Sequence, residues 1–254
     1  MTPLTTSPAL SIQSLTKRYG DRAVLEGFDL DVHAGEVVSI LGANGSGKST
    51  MLRCLSGLAK FDGGSVSVAG REVRSGERVP EFAMVFQKIH LVTQLSALEN
   101  VCAGALGRLS FRQAWAPRVF PTDVREEAMG CLDRVGLAER AHDRAGRLSG
   151  GQQQRVAVAR ALCQRAGVLL ADEPVSSLDP AAAEQVMRLL RSLANDGMAV
   201  VAVLHQPDLA RRHSDRVVGL TGGRVTLNIP PSALTDGDVD ALYAPDYAAE
   251  GGLA

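Results

Sequence analysis

What this sequence lacks narrows it before any motif is read. None of the apolar runs in its 254 residues approaches the roughly 20 that span a bilayer; the longest are VLLA and AVVAVL. The four cysteines, Cys54, Cys102, Cys131 and Cys163, form no CxxC pair, which argues against a zinc module or disulfide framework and for reduced thiols. Neither sign of charge dominates. The 27 Lys and Arg against 28 Asp and Glu leave a net charge of −1, so no basic face and no nucleic-acid partner are expected. The opening MTPLTTSPALS has neither a basic start nor an apolar core, so it is not read as a signal peptide. Heptads and internal repeats are also missing. The expectation is a soluble globular chain that reaches a membrane only through a partner.

What is present is an alternation of buried strands and helices. EVVSIL (Glu36–Leu41) runs into GANGSGKST, VLLA (Val168–Ala171) into DEP, and AVVAVL (Ala199–Leu204) into HQ. Unbroken apolar runs of this length read as strands covered on both faces, the habit of parallel sheets, and the helical patterns between them point to α/β architecture. One helix is clearly bounded: Asp179 as N-cap, Pro180 at the first helical position, Gly197 as the stop, with Val186, Leu189, Leu190 and Leu193 on one face. Residues 91–161 read as a helical subdomain inserted into the α/β core, opening on the capping box Ser96-x-x-Glu99. Within it, FRQAWAPRVFP (Phe111–Pro121) gathers the only tryptophan. From Ile229 onward the composition, rich in Pro, Asp, Ala and Gly, reads as a short or weakly ordered tail.

Gly42-x-x-x-x-Gly47-Lys48-Ser49 fits the phosphate-loop pattern without a mismatch, with a strand before it and the apolar helix MLRCLSGL after it. Glycines let backbone N–H groups turn inward around phosphate oxygens, so Gly42, Ala43, Asn44, Gly45, Ser46, Gly47 and Thr50 are candidates for cradling them. Lys48 reaches the β and γ phosphates, and the Ser49 hydroxyl is placed for Mg²⁺. Asp172-Glu173 ends a buried strand at the edge where such phosphates lie. Asp172 suits a Mg²⁺ role, and Glu173 suits holding the attacking water as general base. His205 follows the next buried strand at the same edge and is a candidate γ-phosphate contact. His33, His90, His142 and His213 have no comparable context.

A second glycine stretch, LSGGQQQR (Leu148–Arg155), carries no lysine. Ser149-x-x-Gln152 reads as a capping box, and Ser149, Gly150 and Gly151 leave N–H groups at a positive helix end facing outward, an anion site with no lysine of its own.

Taken together, GANGSGKST, the glutamine in VFQK, LSGGQQQR, VLLADEP, SSLD and LHQ resemble the ATP-binding cassette ATPases in order and spacing, from about Leu10 to Thr226. The resemblance implies a phosphate-loop (RecA-like) core with a mostly parallel sheet, an antiparallel β part near the N-terminus and the inserted helical subdomain, within an ATPase domain over 8–228. It implies ATP and Mg²⁺ as cofactors. Tyr19 would stack on adenine, and Gln87 would touch Mg²⁺ and the attacking water. Ser149, Gly150, Gly151 and Gln152 would meet ATP held by a second copy, and Asp179 would cross to that copy. A single cassette is similar to the ATPase subunit of a bacterial importer, peripheral on the cytoplasmic face beneath a permease and served indirectly by an external substrate-binding protein. LVTQLSALENVCAGALG and LHQ-x-D are similar to the phosphonate importers. Departures are Lys88-Ile89-His90 and Asn44. Other transport cassettes (methionine-type, export or cell-division), non-transport cassettes and an ATP-binding regulator without turnover remain alternatives.

Overall fold

The computed structural model describes residues 7–109 and 120–251. Its main sheet has six strands in the order β10-β9-β3-β8-β7-β6: β3 (Val37–Leu41), β6 (Phe82–Val85), β7 (Val168–Asp172), β8 (Ala199–Val203), β9 (Arg216–Thr221) and β10 (Arg224–Ile229). All neighbours pair in parallel except β9 and β10. The apolar runs read from the sequence are therefore its central strands, and their residues are buried throughout β3 and β8.

The period of two along each strand divides these side chains between two cores. Val37, Leu41, Leu169, Ala171, Val200 and Ala202 face one side, toward α2 (Ala97–Cys102), α3 (Thr122–Arg134), α4 (Gly150–Cys163), α5 (Pro180–Asn195) and α6 (Pro207–His213). Val38, Ile40, Leu170, Val201 and Val203 face the other, toward α1 (Lys48–Leu55) and a second, antiparallel sheet. That sheet has the order β2-β1-β4-β5, from β1 (Leu10–Tyr19), β2 (Arg22–Val32), β4 (Gly63–Val68) and β5 (Arg71–Val73). Its hairpin folds over the loop after β3: a Cβ on Gly47 would lie 2.8 Å from the Val24 carbonyl oxygen, so only glycine fits that crossing. Full burial of one such leucine, for example Leu169, contributes about 2–3 kcal/mol.

Between β6 and β7 the described residues hold helices and turns but no strand. Helix α2 starts at the capping box read from the sequence: the Glu99 N–H donates to Ser96 Oγ at 3.1 Å, and the Ser96 N–H to Glu99 Oε2 at 2.7 Å. Helix α5 likewise starts at Asp179, whose carboxylate accepts from the Ala182 N–H at 3.0 Å. Residues 110–119, which include most of FRQAWAPRVFP, lie outside the described residues.

The C-terminal segment, expected as a short or weakly ordered tail, holds a helix. After β10 and the short turn Pro231–Ala233, the chain forms α7 (Asp236–Gly251), which buries Leu242 and Tyr243. Its start is fixed by a box of Thr235 and Asp238: the Thr235 N–H donates to Asp238 Oδ2 at 2.9 Å, and the Asp238 N–H returns to Thr235 Oγ1 at 3.1 Å. An aspartate within this Pro-, Asp-, Ala- and Gly-rich segment thus supplies a helix start together with Thr235.

Candidate active site

The parallel register brings the ends of β3, β7 and β8 to one edge, and the candidate residues collect there. The loop between β3 and α1 turns through Gly42 (φ +148°), Gly45 (φ +75°) and Gly47 (φ +111°), conformations that L side chains rarely adopt. Gly42 also has no space for a side chain, since a Cβ would sit 2.2 Å from the Leu220 carbonyl oxygen. Buried Lys48 folds back into this loop and donates to the Gly42 carbonyl at 2.6 Å and the Ala43 carbonyl at 2.8 Å. Ser46 Oγ is buried without a hydrogen-bond partner, an unmet polar atom inside the cradle.

Beside the loop, Ser49 Oγ donates to Asp172 Oδ1 at 3.1 Å. Burial pushes the Asp172 carboxyl above the ordinary carboxylate range; the Ser49 hydrogen bond pulls the other way and the neighbouring Glu173 charge adds to the rise. The next residue turns sharply. Glu173 has φ +49°, a strained conformation for a non-glycine residue, held by its N–H donating to the Val203 carbonyl at 3.2 Å. The turn directs its carboxylate between two donors: His205 Nε2–H to Oε1 at 2.6 Å, and Gln87 Nε2–H to Oε2 at 2.6 Å. Gln87, Glu173 and His205 thus form one hydrogen-bonded row. A carboxylate accepts only, so the contact with His205 fixes the proton on Nε2.

A cavity of about 270 Å³ opens beside this row, lined by Asn44, Gly45, Gly47, Lys48, Ser49, Thr50 and Glu173, and also by Arg22 and Val24. Sequence reasoning missed the last two. They come from the β1–β2 hairpin, where Tyr19 pairs with Arg22 across the turn. Tyr19 itself is 51% exposed, with Lys17 Nζ 5.0 Å from its ring centre.

The second glycine stretch is elsewhere. Ser149 caps α4 in the expected box, accepting from the Gln152 N–H at 3.3 Å while its own N–H donates to Gln152 Oε1 at 2.9 Å. Neither Ser149–Gln152 nor Asp179 lines the cavity of the phosphate loop. They adjoin each other: a Cβ on Gly151 would meet Ala182 Cβ at 3.0 Å, and one on Gly150 would meet Leu178 at 3.6 Å. One chain therefore presents two separate groups, a phosphate loop with its acidic row and an outward helix start beside Asp179. Of the remaining histidines, His213 is buried and its Nε2 pairs with Glu184 Oε1 at 3.0 Å, away from this row.

A glycine phosphate loop at the head of a parallel sheet, with a serine–aspartate pair and a hydrogen-bonded glutamate at the next strand, defines a phosphate-loop nucleoside triphosphatase. Comparison with known proteins makes this specific. The ABC transporter family pattern matches residues 25–176. The chain is 45% identical over 253 residues to the phosphonates import ATP-binding protein PhnC of Stutzerimonas stutzeri, spanning 95% of this chain and 91% of that protein. It is 48% identical over 238 residues to the phosphate-import ATP-binding protein PhnC of Mycolicibacterium smegmatis, spanning 91% of this chain and 90% of that protein. A dimeric ATP-binding cassette in a post-hydrolysis state, bound to ADP and Pi, is similar with a TM-score of 0.73 and 32% identity, over 89% of this chain and 100% of that one. This chain belongs to the ABC transporter family, as an ATP-binding subunit that hydrolyses ATP. Cassettes of this family form dimers and act with transmembrane permease subunits; no helix among the described residues of this chain is long and apolar enough to cross a membrane.

Proposed function

We propose that the chain energises an importer for phosphonates or a related phosphorus oxyanion, working as a homodimer on the cytoplasmic face of a bacterial membrane. The observation that carries the mechanism is the Gln87–Glu173–His205 row beside the phosphate loop, with the exposed Ser149 helix start outside that cavity. The relatives' names, phosphonate and phosphate import, support the class of cargo.

In this reading Lys48 leaves the Gly42 and Ala43 carbonyls for the β and γ phosphates, while loop N–H groups from Asn44 to Thr50 surround them. Ser46 Oγ, now without a partner, gains one. Ser49 and Asp172 would hold Mg²⁺, with Gln87 as a further oxygen donor, a set of oxygen groups that suits this ion. When bound, Mg²⁺ neutralises charge developing on the phosphate oxygens. Glu173 takes a proton from the attacking water, His205 fixes that carboxylate from one side, and Gln87 releases the other side to the water. Tyr19 offers its exposed ring to adenine. Ser149, Gly150, Gly151 and Gln152 close on ATP carried by the second copy, and Asp179 lies at that junction.

The permease would dock along the helices between β6 and β7. A groove of about 600 Å³ there is lined by Leu58, Phe82, Met84, Phe86, His90 and Arg160, next to the segment Leu91–Leu98. Cargo selection then lies with the permease and an external substrate-binding protein.

The test is deletion of the gene in a host without a second system, followed by growth on a phosphonate, phosphite or phosphate as sole phosphorus source. Loss of growth on phosphonate or phosphite alone, restored by the wild-type gene and not by a Lys48→Ala copy, is expected. Unimpaired growth on every source removes the assignment of cargo.

A further inference from the structure

Helix α7 touches the phosphate loop directly. The Ala43 N–H, inside the loop, donates to the Leu242 carbonyl at 3.2 Å, and the Ala43 carbonyl accepts from Lys48 Nζ at 2.8 Å. Both sides of that residue are therefore held, one by the nucleotide-binding lysine and one by the C-terminal helix. The Leu242 side chain is 4% exposed and lies on Gly219, where a Cβ would come within 2.6 Å of it. Gly219 is the β9 partner of Leu41, the last residue before the loop. The neighbouring Leu220 carbonyl lies under Gly42. The start of α7 is tied to α6, the helix after His205, because Arg211 Nη2 pairs with Asp236 Oδ1 at 2.6 Å. One short segment thus bridges the phosphate loop and the helix that follows the His205 strand.

We propose that α7 is a strut that sets the phosphate loop for nucleotide, with Leu242 as its positioning residue. Leu242 does not line the phosphate-loop cavity. It acts through Ala43, by holding that N–H outward so the loop beyond it stays open for phosphate. Removing the strut frees the loop to sample other conformations, and binding must then order it again, which weakens affinity without touching the hydrolytic row. The inference rests on the phosphate-loop reading of residues 42–50.

The experiment measures ATP affinity by calorimetry, KM and kcat, and amide hydrogen exchange at Ala43, in four full-length or shortened chains. L242A keeps the carbonyl that Ala43 binds but removes the packing on Gly219 that holds it in place, so Kd and KM for ATP should rise about fivefold, as if that one hydrogen bond were released, while kcat at saturating ATP stays near wild type. A chain ending at Leu234 should show the same or a larger rise. L242M, which keeps the packing, should restore affinity, and D240A, on the exposed face of the same helix, should match wild type. Exchange at Ala43 should accelerate in L242A while Ile40 and Leu41 in β3 stay protected. Unchanged ATP affinity in folded L242A overturns the proposal, whether or not the shortened chain folds. So does an affinity loss with uniform exchange through β3, which marks general loosening. If wild type itself binds no ATP, the phosphate-loop reading fails instead.

Discussion

Glu173→Gln separates chemistry from structure because its structural cost is small and its chemical cost is large. The carboxylate accepts two hydrogen bonds at 2.6 Å, from His205 and from Gln87. A glutamine there accepts only one and turns its NH₂ toward the other partner. Either partner can adapt: His205 by moving its proton to Nδ1, Gln87 by rotating its amide to present oxygen. The expected loss of stability is therefore no more than about 1 kcal/mol. Removing a general base costs about 10²–10⁴-fold in rate, which corresponds to roughly 3–5 kcal/mol of barrier. The variant should melt within a few degrees of wild type, bind ATP as tightly, and release phosphate at least a hundredfold more slowly. Stopped phosphate-release assays at saturating ATP read this directly. Turnover within threefold of wild type, with binding intact, would refute the role of Glu173 as base.

Three further outcomes follow from the geometry. Gly42→Ala places a Cβ 2.2 Å from the Leu220 carbonyl at φ +148°; it should cost about 1–3 kcal/mol and abolish ATP retention, and normal binding by calorimetry would contradict the close approach. Cys54 and Cys102 are buried, and burial pushes both thiols up to about 11, so the folded chain at pH 8 should resist iodoacetamide at both; mass spectrometry showing rapid modification would contradict that burial. Glu127 is partly buried, which raises its pKa, but the guanidinium groups of Arg165 and Arg108 outweigh this and hold it below the ordinary range. A lowered carboxylate contributes stability above its unfolded pKa and loses it as pH falls through the lowered folded value. Melting temperature should therefore fall on acidification in wild type, and less in Glu127→Gln; parallel curves for the two would oppose the assignment.

How much of this was legible in the sequence depends on the range of the cause. The central strands, the caps at Ser96, Ser149 and Asp179, and the loop from Gly42 to Ser49 are local patterns, and their geometry follows from residues within one or two turns. Arg22 and Val24 reach the nucleotide cavity because a hairpin from another sheet crosses Gly47, and no local pattern announces a crossing of that kind. The row of Gln87, Glu173 and His205 joins the ends of β6, β7 and β8, so only the parallel register reveals that two donors meet one carboxylate. Helix α7 is hidden from the sequence for a different reason. Its Thr235-x-x-Asp238 box is a local pattern, but the residue that anchors the helix, Leu242, has its partners on β9 and in the phosphate loop, far away in the chain.

In the homodimer proposed above, one ATP lies between two copies of this chain, one giving the phosphate loop and the other its Ser149 helix start. Light scattering on Glu173→Gln, with ATP and Mg²⁺ at concentrations that saturate binding, tests it most directly. The expected result is a particle of twice the chain mass with ATP, the single-chain mass without it, and loss of the dimer when Gly150→Asp puts a charge on the exposed helix start. A single-chain mass at saturating ATP, with binding verified in the same sample, would contradict it.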